Sequence, residues 1–318
     1  GRLWHTLQCR RFTMNDYVAL SLGMLCAGAG GELLLRGTLG LARWLGLSPA
    51  ITRATVAVFA TAAAEILVVI QAARIDRPDL AIGAALGTSI VNLGLVLAVA
   101  WLTAEPAQHS DASRRHVVLA AVAPLGLLTF AQNGMVSRVE GSILCALFAA
   151  WLVMNTLAAR NVPNPERLDE PVAERRGWLA ISFSFVGLLL LITAGRLIVH
   201  GIEGLAIHFK LDCFILGATL APLCTTVPEL THAIATQYRG GENVSTSALV
   251  DNSLLNAWFL AGLAAIIAPS RLPFQALTIA VVAAMALTLL VWPGNWIPRR
   301  LRGLVLLAVY GAFVFYML

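Results

Sequence analysis

The sequence predicts an all-α, polytopic membrane protein of about ten transmembrane helices, built as two inverted five-helix repeats. Three observations predict it. The first is composition: 58% of the 318 residues are hydrophobic, 12% are charged, and the mean hydropathy is +0.79. Soluble domains carry about 25% charged residues, so this chain is too poor in charge to cover a water-facing surface. The second is that apolar runs of roughly 20 residues recur from end to end, each long enough for a hydrocarbon core of about 30 Å. Helices satisfy their own backbone groups in lipid, and the alternating segments of about 10 residues that a membrane barrel requires are absent. The third is that one stretch occurs twice: Glu65 and Asn92 recur as Glu229 and Asn256, both at an offset of 164 residues.

Residues 1–16 read as a polar, basic tail. Helix α1 is expected over about 17–44, with Glu32 and Arg36 inside its apolar pattern, and α2 over about 49–73, holding Glu65. Helix α3, over about 78–103, holds Thr88 and Asn92, while α4 (about 114–132) and α5 (about 138–159) are plainer. The polar, proline-bearing stretch "ARNVPNPERLDEPVAERRG" marks a linker. Helices α6 (about 177–208), α7 (about 212–238), α8 (about 244–268), α9 (about 272–293) and α10 (about 298–318) repeat the plan. The expected division is a tail at 1–16, a first repeat at 17–160, a linker at 161–176 and a second repeat at 177–318. The paired motifs lie at about 31–103 and 195–268.

The same offset carries Gly31, Gly37, Gly40, Ala54, Thr55 and Thr61 onto Gly195, Gly201, Gly204, Ala218, Thr219 and Thr225 without a gap. An odd number of helices per copy inverts the second copy in the membrane. The net charge is +5, with Lys210 the only lysine. Twelve arginines fall in the loops after α1, α3, α5, α7 and α9, against eight basic residues in the opposite loops and the tail. That bias expects a cytoplasmic linker and leaves no basic surface for a nucleic acid. The five cysteines lack CxxC spacing and read as apolar fillers. No signal peptide with a cleavage site is recognisable, so α1 is expected to target the chain, to a bacterial inner membrane.

A carboxylate in the bilayer interior costs about 3 kcal/mol on insertion scales and is a functional candidate by default. Thr61 and Glu65, Thr88 and Asn92, Thr225 and Glu229, and Asn252 and Asn256 are four residues apart, so each pair shares a helix face. Pro222 and Pro228 interrupt α7 and free carbonyls beside Thr225 and Glu229. Carboxylates, amides, hydroxyls and carbonyls together suit a hard cation such as calcium or sodium; softer metals want sulfur or imidazole. Two glutamates carry a charge of −2, which one divalent ion, two monovalent ions or two protons neutralise. Species that compete for that charge exchange with one another.

The plainer reading pairs each glutamate with an arginine that ties helices together. Two glutamates at equivalent positions of a duplicated motif, each with a hydroxyl and an asparagine to match, favour the ion site. Asp251 is a candidate third carboxylate. Glu32 and Arg196 occupy matching positions, where they form a gating pair or reach separately for the interface. His232, one turn after Glu229, is either a proton-responsive group or a core histidine.

The stretches "GGELLLRGTLGLARWLGLSPAI", "ATAAAEI" and "GAALGTSIVNLGLVLA" resemble the first repeat of the cation/calcium exchanger superfamily, and "TTVPEL" with "DNSLLNAWFLAGL" resembles the second. The resemblance implies ion-ligand roles for Glu65, Asn92, Glu229 and Asn256. It implies hydroxyl or carbonyl support at Thr61, Thr88, Thr225 and Thr226, with α1 and α6 moving as a gate whose glycines at 31, 37, 40, 195, 201 and 204 suit close contact. Where that family reads Gly-Thr-Ser-x-Pro-Glu, this chain has Ala60, Thr61, Ala62, Ala63, Ala64 and Glu65. The first repeat is therefore expected to offer fewer oxygens on a straighter α2.

The expected function is secondary active antiport of calcium against sodium or protons. The alternatives are a monovalent cation/proton antiporter of the same fold and a transport-deficient scaffold or sensor. No nucleophile–base constellation appears, so neither an enzyme nor a covalent cofactor is expected. The expected partners are the lipid bilayer and inorganic cations, with no obligatory protein partner.

Overall fold

The computed structural model describes residues 14–48, 51–103, 112–160, 174, 176–227, 229–230, 245–269, 271–294 and 297–318. Ten helices lie among them. Helix α1 is Met14–Trp44; α2 comprises a π-helical turn Thr52–Ala57, then Val58–Thr61 and, after a break, Ala63–Arg74; α3 comprises Pro78–Val91, a π segment Asn92–Leu97 and Ala98–Thr103. Helix α4 is Arg114–Phe130, α5 is Arg138–Arg160, α6 is Gly177–Phe209, and α7 is Cys213–Thr225 followed by a break at Thr226. Helix α8 comprises Thr246–Leu254, a π segment Leu255–Leu260 and Ala261–Ile267; α9 is Phe274–Leu290 and α10 is Arg299–Met317. Seven of these are long and apolar enough to cross a membrane, and α2 is an eighth if its parts, bent by 58°, count as one span. Helix α9 and the described part of α7 are shorter apolar helices.

Local chemistry sets several starts. Pro78 opens α3, where its missing N–H costs nothing, and Asp79 lies in the first turn at the positive end of the helix dipole. Asp212 caps α7, accepting from the Phe214 N–H at 2.8 Å, and Ser245 caps α8, accepting from the Ala248 N–H at 3.3 Å. The free Cys26, Cys145, Cys213 and Cys224 sit among apolar neighbours.

Burial separates a core from a periphery. The apolar stretches of α3 and α8 are 89% and 61% buried, against 22–39% for α1, α4, α5, α6 and α10. Helices α1 and α6 lie along one another, the most extensive pairing in the molecule. A methyl group on Gly187 would stand 2.6 Å from the Leu34 nitrogen, and one on Gly204 would meet the Asp16 carboxyl carbon at 2.6 Å. Such small residues let helices approach without a hydrophobic drive between them. Gly37, Gly40, Gly201 and Gly204 lie in this contact as expected; Gly31 meets open space and Gly195 faces Leu67 of α2 instead. An Arg77–Glu203 ion pair at 2.9 Å ties the α2–α3 connection to α6.

The core is clamped by α3 against α7. A methyl group on Gly83, Gly87 or Gly217 would run into the carbonyl of Phe214, Ala218 or Leu80, so the two backbones touch. The offset turns those glycines into Ser247, Asp251 and Arg53, and a crossing of α8 with α2 therefore cannot copy this contact. Gly87→Leu is expected to lower stability by about 1–3 kcal/mol through overpacking. Gly31→Ala, with open space around it, should be neutral or stabilising by up to about 1 kcal/mol. Thermal melting of the purified protein in detergent measures both.

Candidate cation site

The site begins with two helix breaks at equivalent positions. Ala62 ends the first part of α2 with φ −83° and ψ 7°; Thr226, 164 residues later, ends the described α7 helix with φ −91° and ψ 6°. The Ala62 N–H donates to the Val58 carbonyl and the Thr226 N–H to the Pro222 carbonyl, at 3.2 and 2.8 Å. Beyond the breaks, Ile66 N–H donates to Ala62 and Leu230 N–H to Thr226. This corrects the expectation of a straighter α2: it bends by 58° with no proline.

A threonine accompanies each break. The Thr61 hydroxyl donates to the carbonyls of Ala57 and Val58 at 3.0 and 3.1 Å, and the Thr225 hydroxyl to those of Ala221 and Pro222 at 3.4 and 3.2 Å. Threonines that bond back one turn bend helices and satisfy the carbonyls a bend exposes. The threonine present in both copies, rather than the proline present in one, accompanies the break.

Each break starts a new helical turn that carries a glutamate. Glu65 lies in the first turn of Ala63–Arg74, 3% exposed, where the helix dipole favours negative charge. Glu229 holds the same place after Thr226. The matching asparagines share a second irregularity: Asn92 opens the π segment of α3 and Asn256 lies in that of α8, both with 0% exposure. π-bulges concentrate at functional sites because they re-aim side chains within a helix. The Ser89 Oγ accepts from the Asn256 Nδ2 at 3.3 Å and so joins α3 to α8 across the two repeats.

Hydrogen-bond accounting singles out the same residues. Among the described residues, the buried side-chain atoms with no partner are Glu65 Oε1 and Oε2, Asn92 Nδ2 and Oδ1, Glu229 Oε2, Asn252 Oδ1, Asn256 Oδ1 and Trp101 Nε1. All but the last belong to residues singled out in the sequence. Leaving one buried donor or acceptor unpaired costs about 1–3 kcal/mol, more when it is charged. A folded chain does not leave several on the residues of one duplicated motif by neglect. Six of the seven are oxygens, the atoms a hard cation requires.

The other candidates divide. Thr88, Thr225 and Thr226 are buried and donate to their own helices, Thr88 to Ala84 and Thr226 to Pro222, both at 2.8 Å; each oxygen keeps lone pairs for a cation. Thr61 is exposed, whereas its counterpart Thr225 is 2% exposed, so the repeats are not equivalent in access. Asp251 pairs with a histidine: its Oδ1 lies 2.7 Å from Nδ1 of His116 on α4. Glu32 pairs with Arg36 at 2.6 Å rather than with Arg196, which is exposed beside a cavity of about 290 Å³ lined by Gln71, His200 and Glu203. His232 lies outside the described residues. Ser89 and His116 were not among the sequence candidates. The duplication of Ser89 as Ser253 was a legible signal for the first, and nothing local marked the second.

Comparison with known proteins places this geometry in context. The family described as sodium/calcium exchanger protein matches residues 16–157 and 179–318. Inner membrane protein YrbG of Escherichia coli K12 is 28% identical over 298 residues, which cover 90% of this chain and 92% of YrbG. CaxA of Alkalimonas amylolytica, named as an antiporter, is 29% identical over 259 residues, 80% of each chain. The solved structure of the sodium-calcium exchanger NCX_Mj superposes with a TM-score of 0.62 at 20% identity, over 94% of this chain and 97% of that one, and so shares the fold.

The threonine account of the breaks is testable. Ala64 is the offset counterpart of Pro228 and lies in the first turn after the break, where no intrahelical N–H bond is lost. Ala64→Pro should leave melting unchanged or raise stability by up to about 1 kcal/mol. Leu67→Pro, one turn further on, should cost about 3 kcal/mol or more.

Proposed function

Because the chain belongs to the sodium/calcium exchanger protein family, we propose that it is a secondary active antiporter that exchanges calcium for sodium or protons through a midplane site built on Glu65 and Glu229. The chain is a multi-pass membrane protein. In this reading Asn92, Asn252 and Asn256 add amide oxygens, while Thr61, Thr88, Thr225 and Thr226 add hydroxyl or carbonyl oxygens. The observation that carries the reading is the concentration of unpartnered buried oxygens on these duplicated residues.

The mechanism follows from charge. Two carboxylates that repel one another in a low-dielectric interior need about two positive charges, supplied by one calcium ion, two sodium ions or two protons. A site that reorients only when neutralised moves one kind of cargo each way and so couples their gradients. The opposite exposure of Thr61 and Thr225 supports access from one side at a time. Helices α1 and α6, packed through glycines, are the elements able to slide across the α2–α3–α7–α8 core. The proposed division joins repeats at 17–160 and 177–318 by a cytoplasmic linker at 161–176. The proposed location is a bacterial inner membrane, the compartment in YrbG's name.

A second reading, monovalent cation against proton exchange, is favoured by Ala62 and Ala64, which stand where the resembled pattern has serine and proline and lower the oxygen count of the first repeat. Flux into proteoliposomes under opposed sodium and proton gradients distinguishes the two. Calcium uptake driven by either gradient is expected, and Glu65→Gln or Glu229→Gln should each abolish it. Calcium at about a hundred times its Kd should also stabilise the wild type by about 2.7 kcal/mol, a shift that both variants lose. Uptake that survives in both variants would remove the site assignment, and a wild type that moves no cation would favour a scaffold or sensor.

A further inference from the structure

We propose that His116 is a positioning residue for the cation site: donating from Nδ1 to Asp251, it tethers the first part of α8 to α4 and so aims Asn252 and Asn256. The inference rests on the site reading above. A carboxylate only accepts hydrogen bonds, so the 2.7 Å contact puts the imidazole proton on Nδ1. Both side chains are about four-fifths buried, at 22% and 20% exposure, where a charge-assisted bond outweighs its surface equivalent.

The tether stands where the other repeat has a clamp. Asp251 is the counterpart of Gly87, which locks α3 to α7 backbone against backbone. Helix α8 lacks that glycine and takes a side-chain bond to α4 instead. Gly87 has no side chain to accept such a bond, so the device exists in one half only. Asp251 also directly precedes Asn252, whose Oδ1 is buried and unpartnered. Rotation of this turn would move both asparagines together.

A continuous line of rings holds the histidine. Trp151 of α5 meets His116 edge-on at 5.9 Å and stacks on Phe148 at 5.6 Å. Phe148 touches Phe59, three residues before the α2 break, at 6.2 Å, and Phe259, inside the α8 π segment, at 5.5 Å. Phe59 and Phe259 meet edge-on at 5.6 Å. The tether, the break before Glu65 and the π segment that carries Asn256 are thus one packed unit.

Initial uptake in proteoliposomes, with ion-free melting in parallel, tests the inference, using the cation that the wild type transports. His116→Phe keeps the ring against Trp151 and removes the donor. It should raise KM about fivefold to tenfold with maximal rate within about twofold, and it should lower ion-free melting because the Asp251 carboxylate loses its donor. His116→Asn, whose amide N–H replaces Nδ1–H, should recover most of that loss. Added to Asp251→Ala, His116→Phe should have no further effect, because the partner is already gone. A wild-type KM in His116→Phe, an equal rise in the Phe and Asn variants, or additive effects with Asp251→Ala would each overturn the tether alone. A wild type that neither binds nor moves a cation would overturn the site reading and the tether with it.

Discussion

Two intramembrane carboxylates, with three of their four oxygens buried and unpartnered among the described residues, form the constraint on which the rest of this structure depends. Removing a charge from water carries an effective penalty of several kcal/mol, and arginine is the usual remedy. Among the described residues no basic side chain pairs with Glu65, and Glu229 Oε2 has no partner. The irregular backbone is organised around that choice. Breaks at Ala62 and Thr226 place the carboxylates in the first turns of new helices, and the π segments Asn92–Leu97 and Leu255–Leu260 carry the two buried asparagines. On the proposed reading a transported cation completes what the protein leaves open. The site is then costly when empty and filled before it reorients.

The two repeats solve one geometric problem with different residues. Both break at the same place, one flanked by prolines and the other by alanines, and in each the threonine one residue earlier turns its hydroxyl back onto the same two carbonyls. They differ where the core is held. Gly83, Gly87 and Gly217 let α3 and α7 touch, while Ser247, Asp251 and Arg53 stand at the matching positions. The first is a contact of backbone on backbone, whereas α8 bonds to α4 through the Asp251 side chain. An inverted-repeat transporter needs its two faces to open in turn, and inequality of this kind lets them differ in ease of opening.

The fold was legible because the strongest signals were global. Ten apolar runs, an odd helix count per repeat and one offset shared by Glu65–Glu229 and Asn92–Asn256 require no knowledge of packing. The core of the candidate site was legible for the same reason: a duplicated intramembrane carboxylate stands out against an apolar background. Misreadings arose where a local rule competed with tertiary context. Proline absence argued for a straight α2, but Thr61 together with dense packing around Ala62, Ala63 and Ala64 bends it. For Glu32 the sequence left a partner on α6 or a separate reach for the interface open, and the structure pairs it with Arg36 one turn away. His116 was illegible, since its partner lies 135 residues away and no periodicity links them.

Density for the ion itself tests the central claim most directly. A difference map from crystals grown in saturating calcium should show one peak between the Glu65 and Glu229 carboxylates. Ligand oxygens from Asn92 or Asn256 should lie at about 2.3–2.6 Å from it. Glutamates paired with arginine, or a calcium peak bound elsewhere with both carboxylates still unpartnered, would contradict the account.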